Sequence, residues 1–77
     1  MNSEDRIRNL LSRKLAVDPS QIRLNTVLQK EFGLDFVSWL DLMISLEDEF
    51  DLDIPDRKLD EFRTFGQIVK YMNSRIG

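Results

Sequence analysis

The residues of this chain that could do chemistry are mainly carboxylates, and they are concentrated in one segment. Residues 31–56 contain nine acids and no lysine or arginine. These acids are Glu31, Asp35, Asp41, Glu47, Asp48, Glu49, Asp51, Asp53 and Asp56. The other five acids and all eleven basic residues lie outside the segment. This asymmetry disfavours nucleic acid at the acidic segment and favours a partner that presents lysine and arginine. The alternative is a solvated acidic face that only keeps the domain soluble.

Two residue types that are common in catalytic and metal sites are missing. The chain contains neither cysteine nor histidine, which excludes a disulfide scaffold, a thiolate metal site and histidine acid–base chemistry. Paired carboxylates such as Asp51 and Asp53 have no nucleophile or orienting base close to them in the sequence. We therefore expect that this protein is not an enzyme.

The acidic run also fails as a calcium-binding loop. When residues 51–62 are aligned with the EF-hand loop, Pro55 and Leu59 fall at ligand positions. Asp56 stands where the sharp turn requires glycine, and Phe62 stands where the bidentate glutamate is required. We expect no metal site here.

Length and composition predict one small domain over residues 1–77. The chain is 42% hydrophobic and 32% charged, which is ordinary for a soluble globular protein, and this length supports one modest core. Purely apolar runs are about three residues long, as in Leu42-Met43-Ile44. The N-terminal residues contain no apolar stretch typical of a signal peptide. We expect a cytoplasmic protein without a membrane span.

The first predicted helix is followed by a long connection. Ser3 is the expected N-cap, acids fill the first turn, and apolar residues recur at helical spacing to about Ala16. Residues 17–33 then show no sustained period. We interpret them as an ordered loop that includes one turn of helix, held to the core by apolar anchors. The anchors are Ile22, Leu24, Val27, Leu28 and Phe32.

The second predicted helix follows Asp35, a suitable N-cap, and spans residues 36 to 50 or 51. One broad apolar face is predicted from Val37, Leu40, Met43, Ile44 and Phe50, widened by Trp39, Leu42 and Leu46. An opposite polar stripe is predicted from Ser38, Asp41, Ser45 and Asp48. This helix should therefore present an acidic ridge to solvent.

Proline and a capping box mark the remaining elements. Pro55 ends the second helical pattern, and a short helical piece is predicted over residues 57–62. Thr64 and Gln67 form a capping box in front of a final apolar helix. The fold class predicted is all-α: three main helices plus a short one, with a long loop between the first and second.

Three sequence anchors together resemble the acyl carrier protein family, the small four-helix carriers of fatty-acid and polyketide synthesis and related pathways. Phe32-Gly33-Leu34-Asp35 resembles the family's entry to its second helix. Residues 46–50, Leu-Glu-Asp-Glu-Phe, resemble the end of that helix, and Ile54-Pro55-Asp56 resembles the stop that follows. The anchors align without a gap. The resemblance implies the family's small helical bundle over nearly the whole chain.

The residue after Asp35 departs from the family pattern. Family members carry acyl groups on 4′-phosphopantetheine, attached to a serine at that position, which is Phe36 here. The leucine that follows in the pattern is Val37. Ser38 is the nearest hydroxyl, but it lies about 200° around the helix from Phe36. The predicted cofactor-site position is thus Phe36, which cannot carry the group, and Ser38 is a substitute attachment point. The alternatives are a homologue that works by binding alone, a carrier with another attachment point, or an engineered replacement of the serine.

The resemblance also implies how partners bind. Carboxylates on the family's second helix dock against arginine and lysine of partner enzymes, and Asp41, Glu47 and Asp48 stand at matching positions. With Asp35 and Val37 they form the predicted partner-binding set, for basic-surfaced enzymes of acyl-transfer or synthase type. We expect a monomer without nucleic-acid or membrane partners, whose binding is fast and weakened by salt. A purely structural subunit is the alternative. Trp39 is interpreted as a packing residue, or as an apolar spot with Phe36 that a partner covers.

Overall fold

The structure of this protein is a computed structural model that describes residues 2–76. The helices are α1 (Ser3–Leu15), α2 (Leu28–Glu31), α3 (Phe36–Phe50), α4 (Asp56–Glu61) and α5 (Phe65–Ile76). A 3₁₀ turn at Pro19–Gln21 lies between α1 and α2. Within the described range, β pairing is limited to an isolated bridge between Val27 and Thr64. The all-α prediction is confirmed, and α1, α3 and α5 are the three main helices.

The N-cap of α1 differs from the prediction. The side chain of Asn2, not Ser3, accepts a hydrogen bond from the backbone N–H of Asp5, at 2.8 Å. Ser3 already belongs to the helix, and its hydroxyl bonds to the side chain of Asn73 on α5. Asparagine and serine are nearly equal as N-caps, so local propensity does not choose between adjacent positions. In the structure Asn2 caps the helix, and the Ser3 side chain contacts Asn73 of α5.

The connection between α1 and α3 contains more helix than predicted, namely the 3₁₀ turn and α2. Backbone bonds tie it to the start of α5, including Phe65 N–H to the Thr26 carbonyl at 2.9 Å and Gly66 N–H to the Leu24 carbonyl at 2.8 Å. Ile22 and Leu28 are buried anchors, as expected, but the Leu24 side chain is exposed. Leu24 contributes its carbonyl rather than its side chain to this junction.

The core is one cluster of buried apolar side chains from α1, α3, α5, the connection and the residues that flank α4, and Leu59 of α4 packs against it. From α3 the buried residues are Trp39, Leu42, Met43 and Leu46. Val37 and Ile44, which we predicted on the broad apolar face, are exposed. Val37 lies about 200° around the helix from Trp39, so one side of α3 cannot bury both. The buried face of α3 is therefore the one centred on Trp39 and Leu46.

Candidate functional site

The candidate site is the start of α3, where the chain turns into the helix behind a carboxylate cap. Gly33 takes a left-handed conformation with φ of 60°, which suits glycine at this turn. Asp35 accepts a hydrogen bond from the backbone N–H of Ser38 at 2.8 Å. This bond, made to the charged carboxylate, lowers the pKa of the Asp35 carboxyl below its ordinary value. The cap predicted at Asp35 is present in the structure, and it fixes Phe36 as the first residue of α3.

Phe36 points its apolar surface at solvent rather than into the core. Its side chain is 66% exposed, and that of its neighbour Val37 is 73% exposed. An aromatic side chain of this size is usually buried to a large degree in a small domain. The start of α3 therefore exposes a phenyl ring directly beside the Asp35 carboxylate.

Ser38 is exposed, and its backbone N–H is engaged by the Asp35 cap. It has the hydroxyl that Phe36 lacks. However, it lies about 200° around α3 from Phe36 and so projects from a different side of the helix. A single enzyme that approaches α3 from the side of Phe36 would not meet the Ser38 hydroxyl.

Trp39 belongs to the core and not to an exposed apolar spot. It is 2% exposed, and its indole N–H donates to the backbone carbonyl of Leu59 on α4 at 3.3 Å. The alternative in which Trp39 and Phe36 form a spot for a partner is therefore wrong. The indole is buried because it fills the space beside α4 and finds an acceptor there for its N–H.

The acids predicted to bind partners differ in how the fold uses them. Asp41 forms an ion pair with Lys14 at 3.2 Å and stays largely exposed. Glu47 is half-buried, and its carboxylate accepts a hydrogen bond from the backbone N–H of Ile54 at 2.8 Å. Asp48 is exposed and forms no ion pair within residues 2–76. Glu47 therefore holds the loop after α3, while Asp48 remains fully available to a partner.

A groove runs beside Val37, between the end of α1 and the first turns of α3. Its volume is about 570 Å³. Its walls include the apolar side chains of Leu15, Phe32 and Leu34, and Lys14 and Asp41 lie at its edge. Val37 and Ser38 of α3 also line it.

Neither the acidic surface nor the helices of the described range suggest a metal centre or a membrane segment. In that part of the chain no group of three or more Asp or Glu side chains is placed to hold a metal ion. None of the helices there has the length and apolarity needed to cross a bilayer.

Comparison with known families decides the family of this chain. The family model described as "Phosphopantetheine attachment site" matches residues 5–72, nearly the whole chain. The chain belongs to the phosphopantetheine-attachment-site family. This confirms the resemblance to acyl carrier proteins, which are members of it, and a carrier-protein-like function in general.

The side chain of Phe36 does not fit the group for which this family is named. Attachment of phosphopantetheine forms a phosphodiester and requires a side-chain oxygen, and the phenyl ring of Phe36 has none. This domain thus has an exposed aromatic ring, that of Phe36, directly after the capping residue Asp35. Sequence reasoning predicted the position but missed that Leu40 and Ile44 follow Phe36 at four-residue steps on an outer side of the helix.

Proposed function

We propose that this domain works by docking partner proteins on α3 and that it carries no phosphopantetheine at Phe36. The observation that carries the proposal is the pairing of Asp35 and Phe36 at the start of α3. The Asp35 carboxylate accepts the hydrogen bond from the Ser38 N–H. The side chain of Phe36, the next residue, is exposed and has no oxygen that could be modified. The carrier fold is thus present in this chain without the attachment chemistry at that position.

Charge supports docking as the function. The acidic segment has no lysine or arginine of its own, and Asp35, Asp41 and Asp48 are exposed along α3. Exposed charges of one sign steer a partner of the opposite sign and set the rate of encounter more than the final affinity. The partner we propose is an enzyme of acyl-transfer or synthase type with a basic surface, bound by a monomer of this chain.

Docking on α3 is tested through the rate at which a transferase modifies the variant Phe36→Ser. The serine of this variant supplies the side-chain oxygen that Phe36 lacks. The probe is a purified broad-specificity phosphopantetheinyl transferase with coenzyme A, which acts only while it is docked. In this background we expect Asp48→Asn to lower kcat/KM about two- to fivefold, an effect that shrinks as salt is added. Asp60→Asn is the matched control, because Asp60 is an exposed acid on α4. Equal rates for all three proteins at every salt concentration would contradict docking on α3.

Whether phosphopantetheine attaches to the unaltered protein is tested by intact-protein mass spectrometry after the same incubation. We expect no mass gain. A gain of one phosphopantetheinyl group, mapped to Ser38 or another serine, would show a working carrier with a different attachment point and overturn this part of the proposal.

A further inference from the structure

Exposed apolar side chains are concentrated on one side of α3. Within residues 2–76 the large exposed apolar side chains are Leu24, Phe36, Val37, Ile44 and Ile76. Three of these five lie on α3. Phe36, the half-buried Leu40 and Ile44 follow each other at four-residue steps, so they line up along the helix, with Val37 beside them. We call these four residues the apolar strip.

The fold does not require the apolar strip. The buried residues of α3 are Trp39, Leu42, Met43 and Leu46, and the apolar strip contributes none of them. Ile44 is 52% exposed and Phe36 more so, and both could be polar without opening the core. Single exposed apolar residues are common on proteins, but several aligned on one helix face typically mark a contact surface.

Acidic side chains border the apolar strip. Asp35 precedes it, and Asp41 and Asp48 follow along the same exposed side of α3. Interfaces commonly consist of an apolar centre within a charged rim, and aromatic residues in the centre contribute most of the binding energy. The exposed phenyl ring of Phe36, the first residue of the helix that Asp35 caps, is suited to that central role.

We propose that the apolar strip is the centre of the docking surface and that Phe36 is its anchor. The occupant is a partner protein with an apolar pocket for the phenyl ring and lysine or arginine side chains around the pocket. The inference rests on the proposed docking through α3 and goes further, because it gives the side chain at the attachment position a binding role. Charge complementarity to the acidic rim selects a basic partner over a second copy of this chain, whose own α3 would bring the same acids.

The partner is first captured through Phe36 itself. In cells that make the protein, Phe36 is replaced by the photoreactive aromatic amino acid p-benzoylphenylalanine, and irradiation forms a covalent adduct with whatever lies against it. The same replacement at Leu24 is the matched control, because Leu24 is 51% exposed and lies far from α3 in the sequence. A third replacement at Asp48 reports docking on the acidic part of α3. The protein captured from position 36 is then identified and purified.

Affinity for the purified partner is measured by calorimetric titration of single variants. We expect Phe36→Ala to weaken binding at least about tenfold and Ile44→Ala about threefold or more, because truncation of buried anchors is costly. Leu24→Ala should stay within about twofold of the unaltered protein. Thermal unfolding of each variant should be nearly unchanged, because the removed atoms are exposed.

Three results would overturn the inference, and they separate it from the proposed function. If the partner binds Phe36→Ala as tightly as the unaltered protein but loses affinity with Asp48→Asn, docking on α3 stands and the anchor role of Phe36 is wrong. If the adduct consists of two copies of this chain, the apolar strip is a self-association surface. If neither position 36 nor position 48 gives an adduct, both the inference and docking on α3 are wrong.

Discussion

The carboxylate of Asp35 and the backbone N–H of Ser38 are joined by a hydrogen bond of 2.8 Å, which sets where α3 begins and which side chain comes first on it. The same bond links the site to pH. Because the bond stabilises the charged carboxylate, the pKa of Asp35 is lower in the folded protein than in the unfolded chain. The cap therefore stabilises the fold above the unfolded pKa, about 3.9 for aspartate, and this contribution is lost as pH falls through the lower, folded pKa.

We predict that Asp35→Ala lowers the melting temperature at neutral pH, because Ser38 loses its cap, and that Asp35→Asn lowers it much less. The difference between Asp35→Ala and the unaltered protein should be constant from pH 7 to about 5 and shrink below about pH 4. Circular dichroism melting curves across this range measure it. A difference that grows as the solution becomes more acidic would contradict the assigned direction of the pKa shift.

Glu47 should matter more for stability than for docking. Its carboxylate bonds to the N–H of Ile54, a buried residue, so Glu47→Ala leaves that donor unsatisfied and should cost about 1–3 kcal/mol in the free energy of unfolding. Glu47→Gln removes the charge but keeps an oxygen acceptor, and should cost less. Urea unfolding distinguishes the variants, with Asp48→Ala as a neighbouring control expected within about 0.5 kcal/mol of the unaltered protein. Equal losses for Glu47→Ala and Asp48→Ala would show that the bond to Ile54 does not hold the loop.

Gly66 should not tolerate a side chain. A Cβ at this position would lie 2.8 Å from the backbone carbonyl oxygen of Leu24, which itself accepts the Gly66 N–H. We expect Gly66→Ala to destabilise the fold by about 1–3 kcal/mol, because backbone rather than a flexible side chain must move. Lys70→Ala, on an exposed position of the same helix, should change the unfolding free energy by less than about 0.5 kcal/mol. A Gly66→Ala protein as stable as the control would mean that the connection and α5 do not approach this closely.

Trp39 is the only tryptophan of the chain, so its fluorescence reports its burial directly. We expect blue-shifted emission and little quenching by acrylamide in the folded protein, because the indole is enclosed in the core. Unfolding in urea should shift the emission to the red and make it accessible to the quencher. Strong quenching of the folded protein would restore the alternative in which Trp39 is part of an exposed spot.

The helix boundaries near the site were predictable, because the signals that set them are local. Asp35 caps α3 through its own side chain, and Thr64 and Gln67 cap α5 by exchanging hydrogen bonds. Neither cap depends on distant parts of the chain. The position of Phe36 at the start of α3 follows from the first of them.

The buried side of α3 was not predictable, because apolar residues surround most of this helix. Val37 and Ile44 fit a helical period as well as Leu42 and Leu46 do, so periodicity does not separate core from surface. The side of α3 that is buried is set by its packing against α1 and the rest of the core. The apolar strip was missed for that reason. The bond of Glu47 to Ile54 was not predictable either, because it depends on how the loop after α3 folds back.

The most direct test is the mass of four proteins incubated with coenzyme A and a broad-specificity phosphopantetheinyl transferase: the unaltered chain, Phe36→Ser, Ser38→Ala, and Phe36→Ser with Ser38→Ala. We predict that both variants with serine at position 36 gain one phosphopantetheinyl group and that the unaltered chain gains nothing. That result would show a sound carrier fold whose attachment position is occupied by a phenyl ring. A mass gain in the unaltered chain, absent when Ser38→Ala is introduced alone, would contradict the account and make Ser38 the attachment residue of a working carrier.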